Sequence, residues 1–594
     1  MKEKKYLVLG IALVLLTFVG VSLAYFLTTI EGDRKNITIN TADLRVIFTN
    51  GDAIEGTEIE PGWSVTKTFS VENKTKNEYK YNIVIEDLVN TFVTEGYLQY
   101  KITSTDGGYN MDDFKDVPKS EIERDIVLVY SVSMPSKSIQ NYTITIQYRN
   151  DEEEDQSIDS LLDAVVTGNI YITKGTIEPT LAEAILRDNP TIEERTDFST
   201  VFTDDTTGTI YQTNKTEDGS TVYYYSGTPT NNWVKFGRET TTECTYNGKS
   251  VMYAVLDDAK TSYMHVRPIR TSQECTSTDI CVTGDYGPVV GLTEEQCAIS
   301  YFYATWTTDK ATAGNVVKND IYWRIIRTNE DRSVRLLYSG TSPDTTMGYI
   351  GDSSFNQNSN DSMYVGYMYG TSGSLENNRT NTNDSAIKTF IDDWYENNLL
   401  NAYDKYISKT AIYCNDRSIS SGTYSISSGF SYGASERVDY LKNPTYKCGG
   451  DGNGGLFEST QALADKFSVS TSGGGNGQLK YPIALITADE FSFAGGGNLS
   501  DNYDKPYIWY HINSQGELIT DIDSWWSMSP MNNNYGATVW NETHSVVSDR
   551  RKDSSSVSYI LNVRPSLSLS SCVKVSGTGT PDDPYEVDYD NSCK

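Results

Sequence analysis

The sequence predicts a mainly β protein, an amino-terminal β-sandwich followed by a larger part of α+β character with long loops. Three observations carry that reading. Between Asn36 and Thr173 apolar and polar residues alternate, as in Leu44, Val46 and Phe48, in Tyr79, Tyr81, Ile83 and Ile85, and in Tyr142, Ile144, Ile146 and Tyr148; this is the period of half-buried antiparallel strands. Turn clusters such as Asn50-Gly51-Asp52 and Glu60-Pro61-Gly62 divide these runs at sandwich spacing. Later the period changes once, clearly, to that of a helix, and at 594 residues the chain is too long for one core.

The chain opens with Lys2, Lys4 and Lys5 before an apolar run from Tyr6 to Ala24, where Ser22-Leu-Ala24 offers small residues to a signal peptidase. Residues 1–24 therefore read as a secretory signal peptide or as an uncleaved N-terminal anchor, and that segment is the chain's one expected contact with a membrane. Residues 25–175 form the sandwich. Its first segment, Tyr25 to Ile39, is a marginal strand that could pair at home or complete a neighbour's sheet edge. Residues 176–194 form a linker helix: Thr180-Leu-Ala-Glu183 is a capping box, Leu181, Ala184 and Ile185 make a short apolar face, and Asn189-Pro190 stops it.

The second domain, residues 195–571, starts with the strands Thr207–Tyr211, Thr221–Tyr225 and Asn231–Phe236. A hairpin follows, Tyr322–Arg327 with Ser333–Tyr338, turned by residues 328–332. Its helix places Ile387, Phe390, Ile391 and Trp394 at i, i+3, i+4 and i+7 behind a cap at Asn383, Asp384 or Ser385; Lys388, Asp392 and Asp393 are expected on the solvated face. Residues 417–480, rich in Gly and Ser, read as loop because they hold too few apolar side chains to pack. Residues 572–594 read as a tail closed by a disulfide.

A net charge of −31 repels phosphates and anionic lipid, so nucleic acid is excluded as a partner. The eight cysteines, Cys244, Cys275, Cys281, Cys297, Cys414, Cys448, Cys572 and Cys593, are even in number and contain no Cys-x-x-Cys pair. In an exported chain that favours disulfides. Position suggests Cys414 with Cys448 and Cys572 with Cys593, the other four pairing among themselves. The expected location is secreted or cell-surface.

Residues 1–173 resemble the TasA/camelysin family of exported matrix proteins, through Ser22-Leu-Ala-Tyr-Phe26, Ile37 to Leu44, Glu60-Pro-Gly-Trp-Ser-Val-Thr-Lys-Thr-Phe69 and Val166 to Ile172. The resemblance implies a jelly roll that assembles into extracellular fibres. Residues Ala386 to Tyr395, Tyr481 to Glu490, Ser524-Trp-Trp-Ser-Met-Ser-Pro530 and Val563-Arg-Pro-Ser-Leu567 resemble DUF6273-type secreted Firmicutes domains, with Ser527-Met528 and Ser566 as departures. That family is similar in layout to C-type-lectin-like and formylglycine-generating-enzyme-like domains, implying a lectin-like fold of a Gram-positive-type bacterium. In that layout residues 238–320 are a cysteine-containing insertion.

Candidate chemistry is sparse. Trp525 and Trp526 must point to opposite faces of a strand, so one can pack in the core while the other roofs a groove. Trp526, Trp540, Asn541 and Arg564 are the ligand-binding candidates, and Trp540-Asn541-Glu542 resembles the Trp-Asn-Asp of calcium-dependent lectins. Calcium is the one cofactor to consider, with Asp451 and Asn453 as oxygen ligands, although no EF-hand spacing is present. Gly429-Phe-Ser-Tyr-Gly433 matches a hydrolase elbow, with His511 and His544 following in order, but loop is expected around it. Camelysins are catalogued as metallopeptidases, yet the chain's three histidines, His265, His511 and His544, all lie outside residues 1–173. No catalytic residue is assigned. The function expected is structural and adhesive, with self-assembly, other surface proteins or glycans as partners; the alternative is an extracellular metallopeptidase or other secreted hydrolase.

Overall fold

The alternation of Tyr142 to Tyr148 is realised in the strand Ile139–Tyr148, where Tyr142, Ile144, Ile146 and Tyr148 are buried and the residues between them half-exposed. The computed structural model describes residues 28–30, 37–41, 44–50, 54–56, 59–92, 96–118, 120–151, 156, 164–174, 178–256, 263–276, 279–283, 287–300, 304–426, 429–452, 464–496, 508–519, 524–532, 537–544 and 550–593. For 28–56, 120–124, 255, 263–265, 299–300, 464, 473, 540–544 and 550–554 it describes the backbone only. Two compact units result, Met1–Glu178 and Pro179–Lys594. The expected signal or anchor lies outside the described residues, among which no helix is long and apolar enough to cross a membrane.

In the first unit Ile139–Tyr148 pairs with Ser64–Asn73 and Leu98–Ser104 within a six-stranded antiparallel sheet. A five-stranded sheet carries Tyr79–Asn90, Ser120–Met134 and Val166–Lys174. Phe69, Val71, Ile144 and Ile146 of one sheet share a single apolar core with Tyr81, Ile83, Ile170 and Ile172 of the other. One polar group inside it is satisfied internally: the Tyr81 hydroxyl donates to Gln140 Oε1 at 2.6 Å and lies 2.6 Å from the Tyr142 hydroxyl. Of the early segment, Thr28–Ile30 runs parallel to Val166–Gly168 and antiparallel to Ile54–Gly56, while Ile37–Thr41 is a sheet edge. Residues 25–27 and 31–36 lie outside the described residues.

The second unit is built on the hairpin read from the sequence. Thr312–Thr328 pairs with Trp233–Tyr246, Trp233 opposite Arg324, and with Val334–Tyr338, which pairs with Ser566–Leu569. The helix Leu181–Asp188, with its Thr180/Glu183 capping box, buries Leu181, Ala184 and Ile185 in this unit's core. Residues between the paired ends of Trp233–Tyr246 and Thr312–Thr328 form a separate five-stranded sheet with small cores of its own, braced by Cys244–Cys275 and Cys281–Cys297. Cys414–Cys448 and Cys572–Cys593 complete the set, the second closing a tail hairpin of Val575–Ser576 with Tyr585–Val587.

Two expectations are corrected. The helix Ala386–Asn398, capped by Ser385, buries Ile387, Ile391, Trp394 and Tyr395, but Lys388 and Asp392 are buried too, joined at 2.6 Å. Only Asp393 of the expected solvated face is exposed, and Phe390 is half-buried. The helix packs against Trp233–Tyr246, Asp352–Ser354 and Ile483–Ala484, so more than one face is covered and an i,i+4 ion pair is enclosed. Residues 417–480 are not plain loop either. They form the strands Ile419–Gly422, Phe430–Tyr432 and Ala464–Ser468 and a π-helical turn, Glu436–Tyr440. Buried ion pairs supply here what apolar side chains supply elsewhere.

Trp394 makes edge-to-face contacts with Tyr338 at 5.6 Å and Trp323 at 6.4 Å, all three being buried. Trp394→Ala is expected to destabilise the second unit by about 3–5 kcal/mol, read as a lowered denaturant midpoint for that unit. An unchanged midpoint would mean that this helix face carries no packing energy.

Candidate functional site

The strands of the central hairpin carry arginines inward. Arg327 and Arg335 are direct cross-strand partners in the hairpin, a placement that like charges disfavour. Both are buried, and a buried cation needs a counter-charge and hydrogen bonds. Glu490 provides one. Its Oε1 lies 3.2 Å from Arg327 Nε and 3.3 Å from Arg335 Nε, while Oε2 accepts the Thr487 N–H at 2.9 Å in a capping box at the start of helix Ala488–Phe493. Each guanidinium also lies over a ring, Arg327 on Tyr446 and Arg335 on Tyr413, both at 4.4 Å. Arg327 Nη1 donates to Asn329 Oδ1 at 2.6 Å and Arg335 Nη2 donates to the Ile412 carbonyl. Burial draws the Arg335 pKa below the usual guanidinium value, Glu490 opposing and Arg327 adding to the fall.

A second pair stands beside the first. Arg437, carried on the π-helical turn, forms a two-pronged contact with Asp489, 2.9 Å on each side, and donates to Asp416 at 2.7 Å and to the Gly450 carbonyl at 2.8 Å. Burial works against its charge, but Asp489 and Asp416 together hold its pKa above the ordinary value. A third, Arg417 with Asp465 at 2.7 Å, fastens the end of the strand Tyr413–Asp416 to Ala464–Ser468. Single π-helical turns often mark functional sites.

The first two sets wall one cavity of about 370 Å³, lined by Arg327, Arg335, Arg437, Tyr446, Asp489 and Glu490, with Glu217, Asp218, Glu330, Asp331 and Lys447 also on its wall. The volume falls in the range of small-molecule sites. Two donors on its wall are unsatisfied. Tyr446, 9% exposed, has no hydrogen-bond partner for its hydroxyl, and Arg335 Nε has none of adequate geometry. The acidic wall groups are engaged: Glu330 accepts the Glu217 N–H at 3.2 Å, Asp331 accepts from Ser333 and Thr410, and Glu217 pairs with Lys466.

Of the residues singled out from the sequence as ligand contacts, Trp526, Arg564 and Asp451 do not line this cavity. Trp525 and Trp526 do point to opposite faces, but both are wholly buried. Trp526 packs against Phe355 and donates its indole N–H to the Ser353 carbonyl at 2.8 Å, while Trp525 meets Phe491 and Tyr510 in a second cluster. The groove-roofing role expected of Trp526 is therefore replaced by core packing on both sides of the strand. Arg564 is likewise interior, donating to the Tyr338 and Tyr510 carbonyls and lying 4.4 Å over the Trp525 ring. The side chains of Trp540 and Asn541, and all of Asn453, lie outside the described residues. Asp451 is half-buried, its carbonyl accepting from Asn443, and among the described residues no cluster of three or more His, Cys, Asp or Glu is arranged to hold a metal.

The context of Gly429 to Gly433 also differs from expectation. A strand, Phe430–Tyr432, does precede helical residues 433–440. Ser431 lies within that strand, paired with Ser421 and bridged to Asn532, while His511 packs on the Tyr510 ring at 4.6 Å. What sequence reading missed is Arg327, Arg335, Arg437, Tyr446 and Glu490. For Arg327 and Arg335 the available signal was a charge set among Val, Ile, Leu and Trp in strands with no polar alternation.

No protein-family model and no curated protein matches the chain. Among solved structures it has a weak likeness to AvmM, which catalyses macrocyclization in alchivemycin A biosynthesis, at 9% identity and TM-score 0.14, covering 24% of this chain and 94% of that one. A Paenibacillus xanthan lyase is 11% identical with TM-score 0.13, covering 49% of this chain and 25% of that one. At such scores neither protein informs the fold or activity of this chain.

Arg437→Met leaves Asp416 and Asp489 buried without their cation and is expected to cost about 3–5 kcal/mol, measured by urea unfolding. Arg437→Lys should not restore stability, because an ammonium cannot span both carboxylates. Full rescue by Lys would show that charge alone is needed.

Proposed function

We propose that this is an exported surface or matrix protein of a Gram-positive-type bacterium, whose amino-terminal β unit serves assembly or tethering and whose carboxy-terminal unit recognises a ligand. The observation that carries the recognition half is the 370 Å³ cavity, walled by buried arginines and aromatic rings in a disulfide-braced unit. Preformed polar groups in a concave site fix orientation at low entropic cost. Export is supported by the four disulfides, which fit an extracellular or secreted protein. For the amino-terminal unit the support is the pattern resemblance to TasA/camelysin proteins together with the sheet edge Ile37–Thr41, an element that could pair with another copy.

The test is to follow the full chain, secreted from a Gram-positive host, into medium, cell-surface and cytosolic fractions, and to measure its retention on isolated cell-surface and matrix material. The expected result is an oxidised chain outside the cytosol that is retained saturably. A reduced cytosolic chain, or one that washes through such material, would contradict the proposal.

A further inference from the structure

Charge is unevenly matched at one point of the cavity wall, the Arg327 and Arg335 pair. Arg327 and Arg335 face each other across adjacent strands, and the described counter-charge in contact with both is a single oxygen, Glu490 Oε1. The other Glu490 oxygen is held by the Thr487 amide, and the nearby carboxylates Asp416 and Asp489 are committed to Arg437. Glu330 and Asp331 are engaged with backbone and hydroxyl donors on the wall. Two buried cations sharing one oxygen retain a net positive charge, and a buried charge without a full partner is costly. The neighbouring unsatisfied groups are donors as well: Arg335 Nε and the hydroxyl of Tyr446, which is nine-tenths buried. Although the wall as a whole is acidic, the spot between Arg327, Arg335 and Tyr446 has more donors than acceptors, in a volume that admits a small molecule, and suits an anionic group with several lone pairs.

We infer that the cavity binds the carboxylate of a small polar molecule, bridging Arg327 and Arg335 as a second Glu490 would and accepting from the Tyr446 hydroxyl. This rests on the recognition reading above and specifies its ligand class. Guanidinium forks match a carboxylate in the two-pronged geometry already adopted by Arg437 and Asp489. The acidic wall of Glu217, Asp218, Glu330 and Asp331 disfavours polyanions, so the ligand carries one carboxylate and otherwise neutral or cationic groups. An acidic monosaccharide and an amino acid both have this chemistry.

The experiment is calorimetric titration of the full oxidised chain with glucuronate, alanine and glucose, each in the millimolar range. Glucuronate or alanine should bind with one-to-one stoichiometry, and which of them does so identifies a sugar acid or an amino acid as the source of the carboxylate; glucose should not bind. Tyr446→Phe keeps the ring stacked on Phe493 at 4.1 Å and beneath Arg327, so its unliganded thermal midpoint should be equal or higher, while carboxylate affinity falls about tenfold with the lost hydrogen bond. Equal binding of glucose and glucuronate, no binding of either carboxylate, or carboxylate binding indifferent to Tyr446→Phe would overturn the inference. A chain that is retained on matrix material but binds neither carboxylate loses this inference and keeps the recognition reading; a chain that binds a carboxylate but is not retained keeps the ligand class and loses the attachment to surface or matrix.

Discussion

Guanidinium groups buried among aromatic rings are the constraint on which the second unit depends. Arg324, Arg327, Arg335, Arg417, Arg437 and Arg564 are all interior, and each must regain from the protein the hydrogen bonds it surrenders in leaving water. Arg324 does so without a carboxylate contact. It bonds Asn232 Oδ1 and the Trp509 and Pro229 carbonyls and lies 4.2 Å over the Trp233 ring. Burial and the neighbouring Arg564 lower its pKa to about 9. Such a group fixes every chain segment whose carbonyl it takes, because release of any one leaves a cation short of a partner. Strands far apart in sequence are thereby held in one register around the central hairpin.

The same logic accounts for the stretch that composition alone assigns to loop. Apolar side chains between residues 417 and 480 are few, yet Arg437 reaches Asp489 across 52 positions and Arg417 reaches Asp465 across 48. The Cys414–Cys448 bond limits the conformations open to the segment when unfolded, and the ion pairs select one of them. A loop held from below by charge can present a cavity wall with little motion, which favours recognition by a preformed site.

Legibility in the sequence divides along the range of the interaction. Local signals survive into the structure: the alternation at Tyr142 to Tyr148, the Thr180/Glu183 capping box, the helix over Ala386–Asn398 and the pairing of cysteines by position. Long-range charge pairing does not announce itself. Lys388 and Asp392 look like a solvated i,i+4 pair until other elements cover them, and Arg335 looks misplaced in a strand until Glu490, more than a hundred residues later, is brought beneath it. The two tryptophans show the middle case. Period two places Trp525 and Trp526 on opposite faces, but only the tertiary arrangement reveals a core on each side.

Buried ion pairs make residues 417–426 and 429–452 an integral part of the second unit and so preform the cavity. Native-state hydrogen exchange on the intact, oxidised protein tests it directly. The amides of Gly433, Asn443, Thr445 and Cys448, which donate to Ser418, Arg437, Asp489 and Glu217, should exchange only in the opening that also releases the central strand Thr312–Thr328. Exchange of those four amides at the rate of an unprotected loop, while the central strand stays protected, would contradict the account.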